Sequence, residues 1–228
     1  MKRLFFIVIL FSFTTCTELT KQNDKKYFEG FVEFKLSFSS RNNEVANNLK
    51  KNYGTKVITY INSKGFFSRE FIDSNNVILW KEVYRPDSFY YYSYSTNSDT
   101  IYRSDVRKDE REKNVNIQIV SPVVILDQFY PGCTALNKYV DKRTGSIENY
   151  YATYYFDSTH LLNPAAYKNA IRGGYEKVFS KFPYLTVGFT QELENRFMIQ
   201  GYAMRVVETK IDDLHFEIPG NKIIIEQD

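Results

Sequence analysis

The sequence predicts a mainly β fold built from antiparallel strands. Aromatic residues make up 17% of the chain, with 19 Tyr and 19 Phe, and such side chains favour the pleated, half-buried surface of a strand. Between Phe28 and Phe38 the apolar residues recur at every second position, which is the strongest strand signal in the chain. Turn-forming residues then recur about every ten residues, a spacing typical of a sandwich or barrel and not of alternating βαβ units.

The first half of the domain is predicted to contain six strands and one helix. The strand over Phe28–Phe38 has one apolar face, made by Phe28, Gly30, Val32, Phe34, Leu36 and Phe38. Asn43 can cap a short helix after it, and Gly54 sits where that helix would end. Five short strands follow, with predicted bounds Val57–Ile61, Phe66–Ile72, Val77–Tyr84, Phe89–Tyr94 and Thr100–Ser104.

The second half continues the β pattern with one interruption. Asn163 precedes Pro164 as a cap precedes a first-turn proline, and Gly173-Gly174 would end the segment, so a second short helix or lid is predicted between them. The tail, Lys222–Asp228, can add an edge strand. The predicted strands of this half are Val115–Val120, Val123–Leu126, Thr134–Val140, Ile147–Phe156, Tyr184–Leu193 and Phe197–Ile211.

The first residues have the character of a cleavable export signal. Lys2 and Arg3 give a positive start, and an apolar run over 4–11 leads through small residues to Cys16. That run is too short to span a bilayer. The expected organisation is a signal over 1–16, a polar tether over 17–26 and a single antiparallel β domain over 27–228.

Residues Phe13-Thr14-Thr15-Cys16 resemble the lipobox of bacterial lipoproteins, with Phe13 where Leu is usual. The resemblance covers residues 1–16 and implies that Cys16 carries a diacylglycerol and a third acyl chain, which would hold the protein on a membrane. Thr17 and the lack of an acidic cluster after it imply, by the sorting rules of Gram-negative bacteria, an outer-membrane anchor facing the periplasm. An ordinary secretory signal is the alternative, although no A-x-A site follows.

Charge and cysteine content narrow the class of protein. Loss of Lys2 and Arg3 with the signal would lower the formal net charge from +3 to +1, which gives no reason to expect nucleic-acid binding. With Cys16 acylated, Cys133 has no partner for an internal disulfide. Cys133 is therefore predicted to be a small buried hydrophobic residue.

Motifs for catalysis and for cofactors are absent from the sequence. His160 follows Asp157-Ser158-Thr159, but sequence neighbours rarely converge as a catalytic triad does, so a loop is predicted there. His215 follows Asp212-Asp213, without spacing that reveals further metal ligands. No phosphate-binding loop is present. The sequence therefore predicts a protein without metal, cofactor or enzymatic activity.

Three short stretches resemble uncharacterised bacterial lipoproteins with a lipoprotein-carrier (LolA-like) architecture, over about residues 27 to 220. They are Tyr27-Phe28-Glu29-Gly30-Phe31-Val32-Glu33-Phe34, Pro131-Gly132-Cys133-Thr134, and Val207-Glu208-Thr209-Lys210 followed by Phe216-Glu217-Ile218-Pro219. The resemblance implies a curved antiparallel sheet, or unclosed barrel, with two short helices across its mouth. It also implies a hydrophobic concavity able to hold a lipid, an acyl chain or a lipoprotein.

Two functions from different classes follow as hypotheses. In the first, a hydrophobic ligand occupies the concave face, with Pro164–Ile171 as a lid; the candidate lining residues are Phe34, Leu36, Trp80, Tyr90 and Tyr92. In the second, the same aromatic residues fill the core, and an exposed patch or strand edge binds an envelope protein, as in a protein-interaction or assembly module. A hydrolase is a distant third hypothesis.

Overall fold

A computed structural model describes residues 26–108, 116–140, 145–171, 174–194 and 196–227. The predicted signal, Cys16 and all but the last residue of the predicted tether lie outside these residues. Every described strand and core residue lies between 26 and 227, so a chain beginning at residue 17 retains all of them.

The described residues form one curved, unclosed sheet of twelve strands with two α-helices. Strand makes up 56% of the structure, which confirms the predicted mainly β class. The helices are α1 (Asn43–Tyr53) and α2 (Tyr175–Lys181). The strands are β1 (Gly30–Ser39), β2 (Lys56–Ile61), β3 (Phe67–Ile72), β4 (Ile78–Arg85), β5 (Tyr90–Ser95), β6 (Thr100–Asp105), β7 (Asn116–Ile125), β8 (Gln128–Val140), β9 (Ile147–Leu161), β10 (Tyr184–Leu193), β11 (Phe197–Glu208) and β12 (Ile223–Glu226).

Two antiparallel meanders meet at the centre of the sheet. Strands β1 to β6 form one and β7 to β11 form the other, and the chain returns so that β11 pairs with β1. The predicted edge strand in the tail is confirmed as β12, although it pairs with β6 in the parallel direction. Strands β7 and β12 are the two edges of the described sheet.

Strand β1 follows the period of two that its sequence shows. Val32, Phe34 and Leu36 are buried, whereas the residues between them are exposed or half-buried. Gly30 shares the buried face because the backbone of β11 approaches it closely: an added Cβ would lie 2.0 Å from the carbonyl oxygen of Val207. Only glycine fits at that position.

Helix α1 occupies the predicted place, with one correction at its start. The cap is Asn42, whose Oδ1 accepts a hydrogen bond of 2.9 Å from the backbone N–H of Glu44, and the predicted cap Asn43 is the first helical residue. Gly54 ends the helix with φ of 75°, as expected of a C-terminal glycine. No residue of α1 is fully buried, although Tyr53 packs edge-on against Phe71, so the caps add to a limited packing contribution.

Replacing Asn42 by Ala is therefore expected to lower the free energy of unfolding by about 1 kcal/mol, the usual effect of losing a side-chain cap. Urea denaturation of both proteins measures the difference. Asn47, which is exposed within the same helix, provides the control. Asn47→Ala should leave stability unchanged or raise it, because Ala is the better helix former. Equal losses in the two variants would contradict the role of Asn42.

The second helix lies later in the chain than predicted. Pro164 begins only a 3₁₀ turn, Pro164–Tyr167, although Asn163 caps it as expected by accepting from the N–H of Ala165 at 3.1 Å. Gly174 precedes α2 with φ of 65° instead of ending a helix. A glycine can start or stop a helix, and the apolar spacing of Tyr175, Val178 and Phe179 decides between the two. Among the described residues, no helix is long and apolar enough to cross a bilayer.

Several strand predictions in the second half need correction. Strand β9 runs to Leu161 and not to Phe156, and β11 ends at Glu208 and not at Ile211. Strand β8 begins at Gln128 and not at Thr134.

The predicted strands Val115–Val120 and Val123–Leu126 form a single strand, β7, with a register shift between Val120 and Val123. Pro122 falls within that irregularity on an edge strand, where the missing N–H costs no sheet hydrogen bond.

Both faces of the sheet carry a core. The concave face holds the larger one, which includes Val32, Phe156 and Leu185. On the outer face, Val83, Tyr92, Tyr94 and Ile101 pack under Ile211 and Phe216 from the segment after β11. Cys133 is completely buried in the inner core, and burial raises the pKa of its thiol to about 11. The prediction that Cys133 is a buried hydrophobic residue is confirmed.

Candidate ligand-binding cavity

The concave face holds a cavity of about 560 Å³ that is partly open to solvent. Its walls come from both meanders and are mainly apolar and aromatic, with Val57, Phe71 and Trp80 on one side and Tyr154 and Phe189 on the other. The volume lies in the range of pockets that bind small molecules. The fold therefore provides a hollow where the centre of a β domain would ordinarily be packed.

The chain between β9 and β10 covers one end of the cavity. This covering segment, residues 162–171 and 174–182, contributes Leu162, Tyr167, Tyr175 and Phe179 to the wall. Tyr167 stacks on Phe179, with ring centroids 4.4 Å apart, and Tyr84 on β4 donates its hydroxyl to the carbonyl of Ala166 at 2.5 Å. Burial raises the pKa of Tyr84 to about 12, so its hydroxyl stays a donor at neutral pH. The predicted lid forms part of this cover.

The predicted lining residues divide between the two faces of the sheet. Phe34 and Trp80 line the cavity. Leu36 is buried in the same core but is not part of the cavity wall. Tyr90 and Tyr92 lie on the opposite face of β5, where Tyr92 belongs to the outer core.

The residues of β5 that line the cavity are Tyr91 and Ser93. The sequence of this strand has aromatic residues on both faces, so alternation alone could not indicate which face turns inward. The register with β4 decides it, because Tyr91 lies opposite Tyr84 and Tyr92 lies opposite Val83.

A charged pair within the cavity wall was not predicted. Arg69 and Glu82 lie opposite each other in the β3–β4 register, with 3.5 Å between Arg69 Nη1 and Glu82 Oε2. Arg69 Nη2 also donates to the hydroxyl of Tyr175 at 3.4 Å, and the guanidinium lies 5.0 Å from the centroid of the Phe67 ring. The side chains of Arg69 and Glu82 are 26% and 16% exposed, so both charges are largely removed from water.

The sequence held a signal for this pair. Arg69 alternates with Phe67 and Phe71 along β3, and Glu82 alternates with Trp80 and Tyr84 along β4. All six residues line the cavity. One charged residue within each of two apolar faces on a predicted hairpin indicates opposite charges that meet in the interior.

The neighbouring residues form a second charged pair on the outer face. Glu70 and Lys81 lie opposite each other, with 3.3 Å between Glu70 Oε1 and Lys81 Nζ. His215 stacks on Tyr60, with ring centroids 3.8 Å apart, and its Nδ1 lies 3.8 Å from Glu70 Oε1. Within the described ranges, no three His, Cys, Asp or Glu side chains gather as a metal site requires.

Asp157 and His160 do meet, although their proximity in sequence predicted a loop. They lie at the end of β9, with 2.8 Å between Asp157 Oδ2 and His160 Nδ1. The hydroxyl of Thr159 donates to Asp157 Oδ1 at 2.6 Å and lies 3.1 Å from the same histidine nitrogen. In a triad the nucleophile and the carboxylate contact different nitrogens of the histidine. Neither Asp157 nor His160 lines the cavity, so this cluster is a structural hydrogen-bond network at a strand end.

Acid should weaken this network. Burial would raise the pKa of Asp157, but hydrogen bonds from Thr159 and His160 outweigh it and lower the pKa below the usual value of 3.8. The ionised form is therefore favoured by folding, and its contribution is present above about pH 4 and lost as the pH falls through the lowered pKa. Asp157→Asn should lower the free energy of unfolding by about 1–2 kcal/mol at pH 7 and by less at pH 3.

Urea denaturation at the two pH values measures this effect. Asp99→Asn is the control, because Asp99 is exposed and lies in a turn. The control should match the unsubstituted protein at both pH values. The same loss at pH 3 and pH 7 for Asp157→Asn would contradict the role of the carboxylate.

Comparison with known proteins adds no relative. No protein-family model matches the chain, and no curated protein matches it. The features that indicate a function are the cavity, the residues that line it and the sequence patterns described above.

Proposed function

We propose that the chain is a lipid-anchored cell-envelope protein of a Gram-negative bacterium that binds a hydrophobic ligand without catalysis. The ligand is a lipid, an acyl chain or the acylated part of a lipoprotein. The observation that carries this proposal is the cavity of about 560 Å³ inside the curved sheet. Protein interiors are close-packed, and a hollow of this size loses the contacts that its lining would otherwise make.

The lining suits an apolar occupant. Aromatic and branched side chains form most of the wall, and transfer of apolar surface out of water stabilises a complex by about 25 cal/mol per Å². The buried hydroxyls of Tyr84, Tyr91 and Tyr167 have raised pKa values because they are buried, so they remain neutral. The covering segment closes one end and keeps water from a bound chain.

The proposed location follows from the sequence. The pattern before Cys16 supports lipidation, and the resemblance to lipoprotein carriers supports a ligand of the same chemistry as the anchor. An acylated Cys16 would place the cavity beside a membrane, on the periplasmic side of the outer membrane in this proposal. The short polar stretch between Cys16 and the first described residue would link the two.

Native mass spectrometry tests the cavity proposal. Residues 17–228 are purified from a host with a cell envelope, and co-purifying molecules are extracted with solvent. We expect one lipid or acylated peptide per chain, or uptake of added lipid to that level. A ligand-free mass with no uptake would contradict the proposal.

Mass spectrometry of the full chain tests the anchor. We expect the mature N-terminus to be Cys16 with the mass of acyl chains added, and Cys133 to be unmodified because it is completely buried. An unmodified Cys16, or cleavage at a later residue, would overturn lipidation and leave the cavity proposal intact.

A second candidate function has an observation of its own. The β7–β8 hairpin, at one edge of the sheet that the described residues form, exposes Ile119, Val124, Leu126 and Phe129. Val124 and Phe129 lie opposite each other and are 54% and 77% exposed. An apolar, unpaired edge can accept a strand from another protein. This favours the alternative of a protein-interaction or envelope-assembly module.

Replacing Val124 and Phe129 by Thr separates the two functions. If the hairpin binds an envelope protein, the double variant loses a one-to-one complex and keeps the ligand in its cavity. Val77→Thr, at an equally exposed residue on the other meander, should keep both. A complex that survives the double substitution would exclude this edge as the interface.

A further inference from the structure

We propose that Asn137 recognises a polar group of the ligand, and that this group is an amide carried by an otherwise apolar chain. The inference rests on the proposed function, because Asn137 can act in this way only if the cavity holds a ligand. It adds the chemical class of the ligand, which the volume and apolar walls leave open.

Strand β8 directs Asn137 into the interior. Cys133, Ala135 and Asn137 alternate along the strand, and the first two are completely buried in the inner core. Asn137 is 3% exposed and lies on the cavity wall. Its partner across the β8–β9 pair, Tyr150, lines the same cavity.

The side chain of Asn137 makes no hydrogen bond to any residue that the structure describes. Both Oδ1 and Nδ2 are buried, and neither has a partner among the described residues. Because both atoms are unpaired, the conclusion does not depend on which way the amide is oriented. Buried amide groups in folded proteins are almost always paired, and an unpaired one destabilises the fold. A partner that enters the cavity would remove this penalty.

The two atoms define which hydrogen-bonding group the ligand must carry. Oδ1 accepts a hydrogen bond and Nδ2 donates one, so the matching group must offer an N–H and a carbonyl side by side. An amide offers both. An ester offers only acceptors, and a hydrocarbon offers neither.

The Arg69–Glu82 pair of the cavity wall lies elsewhere, whereas Lys138, next to Asn137 on β8, also borders the cavity. Arg69 is the third residue of β3, which begins at the covered end of the cavity. Asn137 lies in the last third of β8, which starts at that end and runs away from it. A carboxylate would be drawn to Arg69, whereas the neutral Asn137 suits a neutral group. An anion offers no N–H to Asn137 Oδ1, so the donor and acceptor of this side chain favour an amide over an anion at this point of the ligand.

The test compares three probes matched in number of non-hydrogen atoms: a straight-chain primary amide, the corresponding methyl ester and the alkane. Each displaces a fluorescent fatty-acid analogue from residues 17–228 and from the variant Asn137→Leu. We expect the unsubstituted protein to bind the amide about tenfold or more tightly than the alkane, with the ester between them. In Asn137→Leu the preference for the amide should be lost or reversed, because the buried amide then has no partner, and the alkane should bind at least as well as before.

Thermal unfolding of the ligand-free variant supplies a second readout. Asn137→Leu should unfold at the same temperature as the unsubstituted protein or a higher one, because an unpaired polar group has been removed. A large fall would show that Asn137 has a structural partner and would overturn the inference.

Other outcomes separate the inference from the proposed function. Equal affinity of the unsubstituted protein for amide and alkane would mean that water satisfies Asn137. A preference for the amide that survives in Asn137→Leu would mean that another residue binds the amide. Either result overturns this inference and leaves the proposed function intact. Binding of none of the probes, including the fluorescent one, would overturn the proposed function and this inference with it.

Discussion

Replacing Val57 by Phe is expected to weaken ligand binding by at least about tenfold and to change the free energy of unfolding by less than about 1 kcal/mol. Val57 is 1% exposed and is one of the residues that line the cavity. A larger side chain at this position would extend towards the hollow. It would occupy volume that the ligand needs, so affinity falls while the fold persists.

Val83→Phe is the matched control for this prediction. Val83 is also completely buried, but it lies in the outer core between Tyr92, Ile101 and Phe216. Overpacking there should lower stability by about 1–3 kcal/mol. Urea denaturation and displacement of a fluorescent fatty-acid analogue measure the two effects. If Val57→Phe destabilised the protein as much as Val83→Phe, the cavity would not be an open space in solution.

The sequence predicted the sheet because each strand carries its own evidence. The alternation in β1 and the turn residues between β2 and β6 depend on local chemistry, so the strands appear close to their predicted bounds. The predicted β8 begins too late because Gln128, Phe129 and Pro131 show no alternation of apolar and polar residues that would mark a strand. Residues 128–133 join the strand because the sheet pairs them with neighbouring strands, and their own sequence does not indicate it.

The cavity was predicted less well, because it depends on register. Alternation predicts that Phe34 faces inward, since one face of β1 is clearly apolar. It cannot choose between Tyr91 and Tyr92, whose faces are both aromatic. Asn137 was not predicted either, because a single polar residue on a strand ordinarily faces water, although it shares the face of the buried residues Cys133 and Ala135.

The largest effects on stability are expected at the charged pair in the cavity wall. Glu82→Gln would leave the Arg69 guanidinium without its counter-charge, and Arg69→Met would do the same to Glu82. Breaking a buried pair costs about 3–5 kcal/mol, and the partial exposure of these side chains reduces that to about 2–3 kcal/mol for each variant. Arg69→Met combined with Glu82→Gln should lose less than the sum of the two single losses, since no unpaired charge remains.

Unfolding of the four proteins in urea at pH 7 gives the coupling energy, which we expect to be at least about 1 kcal/mol. The control is Asp87→Asn, which breaks the Arg85–Asp87 pair, whose side chains are 35% and 49% exposed. An exposed pair contributes little, so this variant should lose less than about 1 kcal/mol.

The coupling energy also reports on the interior of the cavity. Water in the cavity would screen Arg69 from Glu82, and the coupling would fall to the value of a surface pair. A strong coupling requires the aromatic wall to keep the local dielectric low, which is the condition under which an apolar chain binds tightly. Additive losses from Arg69→Met and Glu82→Gln would therefore contradict both the buried pair and the dry, ligand-binding interior inferred from the same residues.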